Sequence, residues 1–249
     1  SRAAIDVTIK DSTPAFMTIY DNLELCSNWH HSRDKLPCFI GSTTAPLAVM
    51  TRLGILASHR GSNFQAIIDA CCNGTLNAEP VVAISNNSGS VALARARTAN
   101  IPAVHISNVT HPQAAAEDLA ILQALETHQV DLVITAGYMK KLGPQTLQRY
   151  QGRIINVHPS LLPRHGGHGM YGMRVHQAVL DKGDKETGIS VHWVEADYDT
   201  GPVIAQKIIA VAADDTAESL AAKVLAEEHD LLVATLATLT QSALPESRP

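Results

Sequence analysis

The chain is 249 residues long and 45% hydrophobic, with 19 basic and 24 acidic residues and a formal charge of -5. That length supports one large domain or two small ones around a sizeable core. The acidic balance argues against a nucleic-acid partner, which asks for a basic surplus, and no apolar run approaches the roughly 18 residues of a membrane span.

Residues 1–50 have no sustained hydrophobic period, and Ser, Thr, Asp and Asn are scattered through them. They are expected to be a disordered N-terminal extension. Asp6, Asp11, Asp21, Glu24 and Asp34 speak against a transit peptide, and Met50 is a candidate start of the compact part. The four cysteines form no evident disulfide framework, which suits a reducing, cytoplasmic setting.

From Arg52 the pattern becomes regular. Strands are predicted at Leu53–Ala57, Val81–Ile84, Pro102–Ile106, Leu132–Thr135 and Arg153–Val157. Helices are predicted between them at Ser62–Cys72, Val91–Ala99, Ala114–His128 and Gln145–Tyr150. Alternating helices and nearly all-apolar strands give an α/β fold, a mostly parallel twisted sheet with helices on both faces. Two further strands, Ile189–Val194 and Val203–Ile208, precede a long helix from Asp215 to about Leu239. The Pro- and Ser-containing residues 244–249 read as a tail.

The first strand leads into Ser58-His59-Arg60-Gly61-Ser62-Asn63 and then a helix. Ser62 and Gln65 have capping-box spacing, so an ordinary helix start is one reading. The same geometry makes an anion cradle, because free amides at a helix start bind phosphate and Gly61 permits close approach. The loop has neither Gly-Lys-Ser/Thr nor G-x-G-x-x-G, so it is not a nucleoside-triphosphate loop or a dinucleotide fingerprint.

Ile154-Ile155-Asn156-Val157-His158-Pro159 is the most informative stretch. Alternation puts Asn156 and His158 on one side of the strand, and two buried polar groups there need partners. Either they close the strand as a polar exit or they form a site. Downstream, Asp197-Tyr198-Asp199-Thr200-Gly201-Pro202 is a turn between two strands. An Asp beside His158 would orient its ring and favour the protonated form.

Taken together, these segments resemble the phosphoribosylglycinamide formyltransferases, over about residues 52–240. The resemblance rests on four ordered landmarks: Gly61-Ser62-Asn63-Phe64-Gln65-Ala66-Ile67-Ile68, Ala136-Gly137-Tyr138-Met139-Lys140-Lys141-Leu142, Asn156-Val157-His158-Pro159-Ser160-Leu161-Leu162-Pro163, and Tyr198-Asp199-Thr200-Gly201-Pro202-Val203-Ile204. It implies a Rossmann-like formyltransferase domain over 51–243, with a nucleotide-phosphate half at about 51–150 and a catalytic and folate half at about 151–243. It also implies 10-formyltetrahydrofolate as cosubstrate, glycinamide ribonucleotide as acceptor and a place in purine biosynthesis.

By the same resemblance, Gly61, Ser62 and Asn63 hold the nucleotide phosphate, and Asn156, His158 and Asp199 are the catalytic trio. Met139, Lys140, Lys141 and Leu142 line the folate site with Asn156 and the loop Glu195, Ala196, Asp197, Tyr198 and Asp199. Leu225, Ala226, Glu227 and Glu228 form a nucleotide-binding stretch in which Glu228 takes the ribose hydroxyls. Glu228 also falls on the face of the last helix marked by Leu220, Val224 and Leu231.

The implied chemistry is attack of an amine on a formamide, with an oxyanion stabilised by Asn156 and protonated His158. Asp199 would raise the pKa of His158 and relay protons through a water. No metal is needed, and His158, His165, His168 and His176 lack the spacing of zinc ligands. Ser190 and His192 alternate with apolar residues and read as buried structural groups.

Two features depart from the family pattern. Residues 164–172 make a longer, Gly-rich loop suited to a lid. Gln113, Ala114 and Ala115 stand where many relatives carry an Arg toward folate.

Three rivals remain open. A formyltetrahydrofolate hydrolase would need a regulatory domain larger than 50 irregular residues. A methionyl-tRNA formyltransferase would need a basic extension, and a non-catalytic folate or nucleotide module would not need the trio.

Overall fold

The computed structural model describes residues 50–241. The extension and tail expected on either side lie outside the described residues, Met50 apart. The strands are β1 (Thr51–Leu56), β2 (Ala78–Ser85), β3 (Ala103–His105), β4 (Leu132–Thr135), β5 (Ile154–His158), β6 (Glu186–Trp193) and β7 (Val203–Ala210). The helices are α1 (Ser62–Cys72), α2 (Val91–Thr98), α3 (Ala114–Thr127), α4 (Pro144–Arg149), α5 (Met173–Lys182) and α6 (Ala217–Gln241).

One seven-stranded sheet has the order β3-β2-β1-β4-β5-β6-β7. Its first five strands are parallel, β6 is antiparallel to β5, and β7 is antiparallel to β6. Strand alternation sorts the core into two layers. Leu53, Ile55, Leu132, Ile134, Ile155 and Val157 pack with Phe64 and Ile67 of α1 and with Val224, Leu232 and Leu236 of α6. Val133 and Ile154 pack on the other face with Ile121 and Leu125 of α3.

The chain lays α1 and α2 on one face as it moves outward to β3. It then crosses by α3 on the opposite face to place β4 beside β1. That reversal opens a crevice at the strand carboxyl ends, where open α/β sheets take their ligands.

Three local expectations need correction. The capping box at Ser62 and Gln65 does not form. Gly61 occupies the N-cap in the left-handed region with no side-chain cap. The Gln65 side chain is engaged elsewhere, with Asp69 at 2.8 Å and Arg95 at 2.6 Å.

Helix α5 was not expected from the pattern after the Gly-rich loop. Its buried residues are Val175, His176 and Val179, so an imidazole replaces an apolar residue in the stripe and hides the period. Finally, Cys71 is a free buried thiol, pushed up to about 12 chiefly by burial, but Cys72 is disulfide-bonded, against the expectation of unpaired cysteines.

Candidate active site

The end of β5 meets its neighbours in a register that builds a polar row across the sheet. Thr135 of β4 is level with Asn156 of β5, which is level with His192 of β6. All three point to the same face, because Ile134, Ile155 and Val191 pack on the other. His158 lies one step further along the strand, level with Ser190.

Asp199 comes from the turn between β6 and β7, in the left-handed region at φ 57 that Asp tolerates. Gly201 makes this turn possible, because a Cβ there would collide with the Trp193 carbonyl.

These residues converge. His158 Nδ1 is 3.6 Å from Asp199 Oδ2, and Asn156 Nδ2 is 3.5 Å from Asp199 Oδ1. His158 Nε2–H donates to the His165 carbonyl at 2.8 Å. A carbonyl only accepts, so Nε2 carries a proton and Nδ1 faces the carboxylate. The Gly167 amide donates to Asp199 Oδ2 at 2.9 Å. The Gly-rich loop therefore touches both members of the pair, and it is held in turn by His165 Nε2 at 2.7 Å from Asp184.

Electrostatics sets the resting protonation. Burial pushes the His158 imidazole below its ordinary value, and the Asp199 charge and the His165 carbonyl pull it back only in part. Asp199 raises the His158 pKa as expected, but desolvation outweighs that attraction and the net shift is downward. Burial pushes Asp199 up, but the nearby His192 and His158 rings and the Gly167 amide bring it below the usual carboxylate range. At rest the pair is a carboxylate beside a neutral imidazole.

His192 was read from sequence as structural, yet its ring touches two members of the trio. It lies 3.1 Å from Asn156 Nδ2 and 3.5 Å from Asp199 Oδ1. Antiparallel register decides that placement, and a single sequence does not display it. Ser190 is structural as expected: it accepts from the Leu162 amide and donates to the Ser160 carbonyl.

The presumed phosphate segment opens α1. The first hydrogen bond of the helix runs from the Gln65 amide to the Gly61 carbonyl at 3.0 Å. The amides of Ser62, Asn63 and Phe64 therefore precede the ladder. Gly61 is required at φ 63, where a Cβ would also stand 2.8 Å from that of Ala92.

Asn63 Nδ2 donates to Glu228 Oε1 at 2.8 Å, across from α6, while Asn63 Oδ1 is buried without a partner. Burial raises Glu228, with the Asn63 bond opposing. Glu227 is paired instead with Lys207, and Leu225 and Ala226 are exposed. Of these four, Glu228 is the one bonded to the α1 segment.

Ser58, at the end of β1, donates to Asn86 at 2.6 Å and accepts the Met139 amide at 2.8 Å. It ties the loop before α1 to the segment expected to line the folate site. There Met139, Lys140 and Lys141 are at least partly exposed, whereas Leu142 is buried in the α3-side core. Lys141 reaches Asp197 at 3.4 Å and lies 5.7 Å from the Tyr198 ring centroid, so the two proposed folate segments face each other. Glu195, Ala196 and Asp197 are exposed. Among the described residues no group of three His, Cys, Asp or Glu side chains is arranged to hold a metal ion.

The formyl transferase family profile matches residues 51–236. The chain belongs to the formyl transferase family. It is 36% identical over 193 residues to the chloroplastic phosphoribosylglycinamide formyltransferase of Vigna unguiculata, covering 78% of this chain and 62% of that one. It therefore spans less than two thirds of that relative's length. It is 33% identical to phosphoribosylglycinamide formyltransferase from Haemophilus influenzae, covering 78% of this chain and 90% of the relative.

The fold matches the crystal structure of glycinamide ribonucleotide transformylase 1 from Symbiobacterium toebii at a TM-score of 0.74 and 35% identity, over 81% of this chain and 92% of that one. The seven-stranded, mostly parallel sheet is the one these formyl transferases share.

Proposed function

We propose that this formyl transferase moves a formyl group from 10-formyltetrahydrofolate to the amine of glycinamide ribonucleotide, a step of purine biosynthesis. One observation carries the reading. Asn156, His158 and Asp199, far apart in sequence, meet at the carboxyl end of β5, and the first helical hydrogen bond of α1, which starts at the carboxyl end of β1 in the same sheet, leaves the amides of Ser62 to Phe64 ahead of the ladder. The names of the similar proteins support the substrates.

The amides of Ser62 and Asn63 and the Gly61 turn would take the phosphate, and Glu228 the ribose hydroxyls. Met139 to Leu142 and Glu195 to Asp199 would frame the folate, with Leu142 acting from beneath through packing. Leu225, Ala226 and Glu227 would flank the nucleotide. A cytoplasmic location is part of the proposal. Among the described residues no helix is long and apolar enough to cross a membrane.

The chemistry follows from the resting protonation. Attack by the amine on the formyl carbon develops an oxyanion and an ammonium. Asn156 Nδ2–H donates to the oxyanion. Neutral His158 accepts a proton at Nδ1, the resulting imidazolium is held by Asp199, and the same proton is then available to the departing folate nitrogen. The 3.5 and 3.6 Å contacts to Asp199 are longer than working hydrogen bonds, which leaves their protons and lone pairs open to substrate.

The test is to mix the protein with 10-formyltetrahydrofolate, with and without glycinamide ribonucleotide, and follow deformylation. Dependence on the ribonucleotide is expected. Equal rates without it would make the protein a hydrolase, and no reaction would make it a binding module.

A further inference from the structure

We infer that Thr135 is a positioning residue for this reaction: its hydroxyl fixes the amide of Asn156 with the NH2 group turned toward the reacting atoms. The inference rests on the proposed function and adds a residue which that reading does not use.

The argument starts from a group with only one possible role. The Trp193 carbonyl can only accept, and His192 Nδ1 lies 2.9 Å from it, so Nδ1 carries a proton. Nε2 is then the ring atom left to accept, and it lies 3.1 Å from Asn156 Nδ2. That contact requires the NH2 end of the amide to face β6, which leaves Oδ1 facing β4. Thr135 Oγ1 stands there at 2.8 Å and donates to it. The same hydroxyl lies 3.1 Å from the Ile155 carbonyl, the longer of its two contacts.

Every direction in the row from Trp193 through His192 and Asn156 to Thr135 is therefore fixed. One Nδ2 proton is spent on His192. The other points along the long 3.5 Å separation to Asp199 and is the one free for a developing oxyanion.

Thr135 is 6% exposed at the end of the otherwise apolar Leu132-Val133-Ile134 run. An apolar residue would satisfy the core equally well. A hydroxyl there serves a neighbour, and register makes that neighbour Asn156. Without it Oδ1 loses its donor in a half-buried setting, and the amide gains from rotating.

The test uses the full chain with Thr135→Val, which removes only the hydroxyl donor at near-constant shape, and Thr135→Ser, which restores it. Two readouts are taken. The first is hydrogen-exchange protection of the Asn156 side-chain amide by NMR, which is independent of turnover. Protection is expected in the wild type and the Ser variant and lost in the Val variant. The second is steady-state deformylation. kcat is expected to fall about 10- to 100-fold in the Val variant, with KM for both substrates within about twofold and recovery in the Ser variant.

Equal amide protection in wild type and Thr135→Val overturns the inference whatever the rates. A Val variant that loses protection yet keeps wild-type kcat overturns it as well. Absence of ribonucleotide-dependent turnover in the wild type overturns the proposed function instead, and the amide measurement still decides the role of Thr135.

Discussion

Replacing Asp199 by Asn isolates the charge of the turn from its shape. The Asn side chain can still accept the Gly167 amide now held at 2.9 Å, so the turn and the loop keep their tie. What disappears is a negative charge 3.6 Å from His158 Nδ1, in a pair whose side chains are 5% and 10% exposed. At an effective dielectric of about 20, two unit charges near that separation attract by about 4 kcal/mol. Removing a buried group that stabilises transition-state charge costs about 3 to 4 kcal/mol.

The expected outcome is a fall in kcat of about 100- to 1000-fold, with little change in KM for the ribonucleotide. The pH profile adds a signed check. Asp199 raises the His158 pKa against the downward push of burial, so its loss lowers that pKa further and moves the His158-controlled limb of the profile to lower pH. The assay is ribonucleotide-dependent deformylation from pH 5 to 9, with circular dichroism confirming the fold. A folded Asp199→Asn variant with kcat within about threefold of wild type would refute both the ion-pair role and the protonation sequence built on it.

Three further outcomes are expected. Glu228→Gln should raise KM for the ribonucleotide about tenfold or more, since hydrogen bonds to charged groups contribute about 1.5–3 kcal/mol, without loss of thermal stability. Its folded pKa is raised above 4.5 by burial, so the ionised form is a folding cost at neutral pH that Gln relieves; a lower melting temperature would contradict this.

Denaturant midpoints should fall as pH drops below about 6.5. His158, His176 and His229 are all lowered from 6.5, chiefly by burial. The stability they contribute is present above that value and is lost as pH falls through their depressed folded values, so a midpoint that holds or rises between pH 7.5 and 5.5 would count against it. Gly201→Ala should destabilise by about 1–3 kcal/mol and reduce turnover, because the added Cβ meets the carbonyl that fixes His192. Wild-type stability and rate in that variant would show that the turn relaxes freely.

The fold was legible because parallel strands buried on both faces read as apolar runs, and β1, β4 and β5 do so. Helix α5 was hidden by His176, a polar residue in a buried stripe. At the site, alternation alone placed Asn156 and His158 on one side. The contributions of His192 and Thr135 depend on which residues stand level across β4, β5 and β6, and a pattern read along one strand carries no cross-strand register. The burial that outweighs Asp199 at His158 was not legible for a related reason: a partner can be guessed from motif chemistry, but burial needs the packed surroundings.

The same sheet face explains where the proposed reaction has a place to occur. Val133 and Ile154 pack against α3, and two residues further along each strand the face turns polar at Thr135 and Asn156. Polar groups at that depth are costly unless paired, and the row from Thr135 to Trp193 pairs nearly all of them at 2.8 to 3.1 Å. The three loose contacts, at 3.5 to 3.6 Å from Asn156, His158 and His192, all end on Asp199. A fully satisfied network would have nothing to offer a substrate, and a loosely packed one would not hold its donors in place. Rigid pairing on three sides with slack confined to one carboxylate directs the free proton of Asn156 and the open nitrogen of His158 toward the same small volume. Any substrate carbon that reacts here has to enter against Asp199.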